Sequence, residues 1–91
     1  MHNRRGLKRS INSLCSNLLA ECIAMSLYSG KAEESNVDAL LTSIIAIRDD
    51  YISRISHPEP GMKKKEYYDH LAKSFADQIS EVIDQISNLS E

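Results

Sequence analysis

Two cysteines, Cys15 and Cys22, and two interior histidines, His57 and His70, are the side chains here best suited to chemistry. A thiolate can attack or ligate, and an imidazole can serve as a base or bind a metal. Their spacing argues against each use. On a helix the seven-residue step from Cys15 to Cys22 spans roughly 10.5 Å, at about 1.5 Å per residue, too far for a bond between them. No His, Cys, Asp or Glu pair has a metal-ligand spacing that recurs on a second segment, which a complete coordination shell needs. Asp49 and Asp50 are adjacent, so on a helix they diverge by about 100° and cannot act on one atom. Nucleophile elbow, phosphate-cradling glycine loop and nucleotide fingerprint are all missing. The expectation is therefore a protein that is not an enzyme and uses no cofactor or metal. The cysteines read as small buried hydrophobes in a reducing compartment, with an intermolecular bridge or thiol chemistry as the alternatives.

Charge is the remaining chemical candidate. Eleven basic and thirteen acidic residues give a net charge of -2 over 91 residues, which provides no general attraction to nucleic acid or anionic membrane. Placement is uneven, however. Arg4, Arg5, Lys8 and Arg9 crowd the start, and Lys63, Lys64 and Lys65 form the longest run of like charge, nine residues after Arg54. Whether they meet depends on the elements that carry them.

Three segments show apolar residues at helical period and none shows a convincing period of two. Helices are predicted over about 7–29, 36–56 and 62–89, with residues 1–6 and the last two frayed. In the first, Ile11, Leu14, Cys15, Leu18, Cys22 and Met25 share a face, and Gly30 stops it. The second opens at "SNVD", where Ser35 and Asp38 could form a capping box, and carries Val37, Leu40, Leu41, Ile44, Ile45, Tyr51, Ile52 and Ile55. The third holds Tyr68, Ala72, Phe75, Ile79, Val82, Ile86 and Leu89 in a heptad seam. Short connections, "GKAEES" and "HPEPG", make consecutive helices antiparallel neighbours. An all-α, up-down-up antiparallel three-helix bundle follows, as a single domain with a modest core.

That topology gathers Arg4, Arg5, Lys8, Arg9, Arg54, Lys63, Lys64 and Lys65 at one pole. Glu33, Glu34, Asp38, Glu81, Asp84 and Glu91 fall at the other, opposed mainly by Lys31. Cations beside a helix N-terminus oppose its dipole, by about 0.3–1 kcal/mol each, so stability alone would not place Lys63–Lys65 there. Either the basic pole is a solvated face, or it meets nucleic-acid phosphates or an acidic protein surface. Nothing resembles a helix-turn-helix, zinc finger or aromatic RNA platform. Tyr67 and Tyr68 could stack on bases, but Tyr68 fits the core seam and Tyr67 its border.

His57, Pro58, Glu59, Pro60 and Gly61 read as a stiff corner. A residue before proline is pushed out of the helical region, so His57 ends the second helix, and Pro60 suits a helical first turn. The same stiffness would present His57 and Glu59 to a partner. A further apolar row, Leu19, Ile23 and Leu27, lies at roughly 80, 120 and 160° from Ile11 at about 100° per residue. Either the first helix is wedged deeply enough to cover that row, or a second copy covers it in a homodimer.

The stretch "LLAECIAMSL" is expected not to be an export signal, because Glu21 interrupts it, and no stretch approaches the ~20 apolar residues of a membrane span. The run "DDYISRISHPEPGMK" followed by a heptad helix resembles a group of small bacterial helical proteins without assigned function, over Val37 to the C-terminus. The resemblance implies a helical bundle in a bacterial, cytoplasmic setting and brings no catalytic residues. The functional expectation is a self-associating, non-enzymatic interaction or regulatory module. The alternative is a nucleic-acid-associated protein that uses the basic pole.

Overall fold

Asn3 begins the first helix. Its backbone is extended, and its Oδ1 accepts the Gly6 N–H at 2.7 Å, which satisfies one of the donors a helix start leaves open. The computed structural model describes residues 3–30 and 33–89, and among these the helices are α1 (Arg4–Ser29), α2 (Glu34–Ser56) and α3 (Lys64–Asn88). Arg4–Gly6 are thus helical, not frayed, because the Asn3 cap and not the first apolar residue decides where α1 starts. The expected fraying at Met1, His2, Ser90 and Glu91 lies outside the described residues, as does Lys31. Gly30 ends α1 at φ 63°, the left-handed conformation that glycine adopts without a Cβ clash.

The other two starts differ from expectation. The α2 N-cap is Glu33, whose side chain makes no cap bond, while its carbonyl accepts the Asn36 and Val37 N–H groups at 3.0 and 3.1 Å. Ser35 therefore sits inside the first turn, and the Ser35–Asp38 capping box does not form. α3 starts at Lys64 instead of Met62. Gly61 has φ 89°, and the Met62 N–H reaches back to the Glu59 carbonyl at 3.5 Å. Proline second and a positive-φ glycine third mark a type II turn, so Pro60 serves this turn and not the first turn of α3.

The bundle is up-down-up, with α1 against both other helices and most intimately against α2. The fully buried Cys15 and Cys22 on α1 are small enough to let it approach closely. Around them lie Ile11, Leu18, Ile44, Tyr51, Ile55, Phe75 and Ile79 in one core. Leu71 joins this core although it lies outside the heptad seam, and Leu14 and Ile45, assigned to it from periodicity, are 38 and 40 % exposed. Extents of 49 × 21 × 17 Å describe a rod. The 14.8 Å radius of gyration exceeds the ~12 Å of a compact chain of this length. No helix among the described residues is long and apolar enough to cross a membrane.

Candidate functional site

The corner after α2 is held by backbone and side chain together. The His57 N–H donates to the Ser53 and Arg54 carbonyls at 3.1 and 3.3 Å, and its ring Nδ1 stands 3.0 Å from the Ser53 oxygen. A carbonyl can only accept, so the proton in this contact is on Nδ1. Tyr67 is buried, not at the border of the core, and its hydroxyl donates to the Arg54 carbonyl at 2.9 Å, with the His57 carbonyl farther off at 3.5 Å. The last carbonyls of α2 thereby gain a further donor from α3. Burial also removes Tyr67 and Tyr68 from any stacking platform. Pro58, Glu59, Pro60 and Gly61 are exposed at the tip.

The basic residues of the α1 and α3 starts share one end of the rod. Arg4, Arg5 and Lys8 line a shallow depression of their own. Among the described residues no carboxylate is within ion-pair distance of these three, of Arg9, or of Lys63–Lys65. Arg54 differs, because it lies 3.1 Å from an Asp50 oxygen and 5.2 Å from the Tyr51 ring centre. It is a partnered residue of α2 more than a free charge of the pole.

The apolar row splits. Leu19 is half-buried against the core, whereas Ile23 and Leu27 are 47 and 78 % exposed. A deeper wedging of α1 accounts for Leu19 alone. The row's neighbour can be read from the packing. The α3 side of α1 is marked by Leu14, Asn17, Leu18 and Glu21, so Leu19 and Ile23 fall on the opposite, α2 side. On α2, Tyr51 faces α3 through its hydroxyl, which bonds with the Ser74 hydroxyl and accepts from Gln78 Nε2, whereas the Arg48 charge acts on Cys15 in α1. Leu41 and Ile45 follow Arg48 on that α1 side at helical spacing. Leu19, Ile23, Leu41 and Ile45 thus border one seam. A second apolar groove, about 280 Å³, runs between α1 and α3 with Leu14 and Ile83 at its lip. Leu14 was assigned to the core, and Ile83 stood outside the heptad seam, so nothing in the periodicity pointed to this groove.

The chemical candidates stand apart from one another. Burial raises the pKa of both thiols, for Cys15 against a smaller opposing effect of Arg48, which keeps them protonated and poor nucleophiles. His70 is exposed on α3 beside Lys73, Ser74 and Asp77. Asp49 engages Arg48 at 3.2 Å and Asp50 engages Arg54. Among the described residues no three His, Cys, Asp or Glu side chains are grouped to hold a metal, and no polar or charged side chain is buried. What the arrangement offers is surface: an apolar seam on one flank and unpaired cations at one end. Compared with protein-family models, curated proteins and solved structures, the chain matches none of them.

Proposed function

We propose that this chain is a non-enzymatic interaction module of the bacterial cytoplasm that works as a homodimer, joined along the α1–α2 seam. The exposure of Ile23 and Leu27 beside half-buried Leu19 carries this reading. An apolar row at helical spacing on a helix already packed by its other face has no use in the monomer and gains by being covered. Sedimentation equilibrium at tens of micromolar checks it, with a dimer expected and Ile23→Glu expected to be monomeric. A native chain that stays monomeric, or an unchanged dimer for Ile23→Glu, would refute it.

A second reading is favoured by Arg4, Arg5, Lys8, Arg9 and Lys63–Lys65, which have no ion-pair partner among the described residues. They suit contacts to nucleic-acid phosphates, or to an acidic protein surface, that need no base recognition. Binding to a mixed-sequence duplex should then fall steeply with salt and weaken when Lys63, Lys64 and Lys65 become glutamine. Binding that is absent or indifferent to salt removes it.

A further inference from the structure

The face that carries Leu19, Ile23 and Leu27 does not end at Leu19. Stepping back along α1 at spacings of three and four, it continues through Ser16, Asn12, Arg9 and Arg5, at roughly 140, 100, 160 and 120° from Ile11. All four are exposed. One stripe of α1 is therefore apolar in its last third, uncharged and polar in its middle, and cationic at its start. At the apolar end the chain turns into α2, which begins with Glu33, Glu34 and Asp38, all exposed. Among the described residues none of these three carboxylates, and neither Arg5 nor Arg9, has an ion-pair partner.

From this gradient we infer that the occupant of the seam is a second copy laid antiparallel, with Leu19 of one protomer facing Ile23 of the other across a two-fold axis. This deepens the self-association reading and rests on it. Two-fold symmetry makes every contact occur twice. The pairing places Arg9 of one copy about 4–5 Å past the level of its partner's Gly30, at about 1.5 Å per residue, at the end where the partner's α2 begins with Glu33 and Glu34. Guanidinium and carboxylate side chains are long enough to close the few ångströms that remain. A parallel pairing would instead set Arg5 and Arg9 against their own copies and Glu33 and Glu34 against theirs, a like-charge juxtaposition that disfavours it. Leu41 and Ile45 on α2 widen the floor on which the partner's α1 rests, so the joined seams form a four-helix layer.

Sedimentation equilibrium of the full chain tests orientation separately from association. Arg9→Glu and Glu34→Arg should each weaken the dimer by about tenfold, because each disturbs two symmetry-related pairs. The combined Arg9→Glu, Glu34→Arg chain should recover to within about threefold of the native one, and raised salt should weaken the native dimer. Among the described residues neither has an ion-pair partner, and circular dichroism of each variant confirms its fold. If Ile23→Glu is itself unfolded, Leu27→Glu at the most exposed position of the row replaces it. A native monomer would overturn both the association and the orientation. A dimer lost on Ile23→Glu or Leu27→Glu, yet indifferent to either charge reversal or not rescued by the exchange, would overturn the antiparallel arrangement alone.

Discussion

Tyr67 shows how much one hydroxyl can hold. It closes the carbonyl end of α2 from the start of α3, across a turn that has no other side-chain tie of this kind among the described residues. Tyr67→Phe removes the shorter of the two hydrogen bonds to the Arg54 carbonyl, which keeps the His57 N–H at 3.3 Å, so a loss of about 1 kcal/mol is expected, read as a Tm lower by about 4–8 °C. Tyr51→Phe should cost no more, although Tyr51 is fully buried. Its hydroxyl partners, Ser74 and Gln78, are half-exposed and can turn to water instead. The thiols allow a pH test. Both are raised above the ordinary value of 9.0 by burial, so the folded state holds these protons more tightly than the unfolded one. Their contribution is complete below pH 9 and is lost as pH climbs through the raised folded values. Unfolding free energy should therefore fall above pH 9, and by less in Cys15→Ala, Cys22→Ala.

At the scale of elements, existence and order were legible in the sequence and the ends were not. Period-3.6 patterning reports which face is buried, and it fades where a helix starts on exposed residues, as at Arg4–Gly6. What sets α1 is a polar side chain, Asn3, whose role depends on reaching one particular N–H. Asn3→Ala should lower stability by about 1 kcal/mol, seen in chemical denaturation as a lower midpoint at unchanged slope. Pro60 illustrates the opposite error. Its fixed φ fits the first turn of a helix and the second position of a type II turn equally well, and the Gly61 φ of 89° selects the turn. Heptad arithmetic likewise names Tyr68 and misses Tyr67 and Leu71, because α3 packs against two helices and so buries an arc wider than one seam.

The whole molecule exposes 6142 Å², against about 5300 Å² for a typical folded chain of this mass. That excess fits the rod shape, and the exposed large hydrophobics include Leu14, Ile23 and Leu27 on α1, Ile45 on α2 and Ile83 on α3. The exposed row at Ile23 and Leu27 was legible as a row with no partner in three helices. The Leu14–Ile83 groove on the other flank was not, since each residue taken alone fits a core helix. The basic pole was visible as a sum of charges, but the depression that Arg4, Arg5 and Lys8 line by themselves follows from side-chain placement that sequence does not state. Neutralising Lys63–Lys65 should leave that depression intact. A phosphate-bearing probe should lose part of its affinity on that change, and its salt slope should shrink by less than full removal of the pole would give.

Charge separated along a rod also has a consequence in time. Such a molecule carries a permanent electric dipole along its long axis, and two of them drifting together are turned head to tail before any side chain touches. Orientation is what ordinarily makes protein encounters slow. A field that supplies it acts on arrival, not on residence. In stopped-flow mixing, added salt should slow the second-order rise of the proposed dimer while leaving its first-order decay on dilution nearly unchanged.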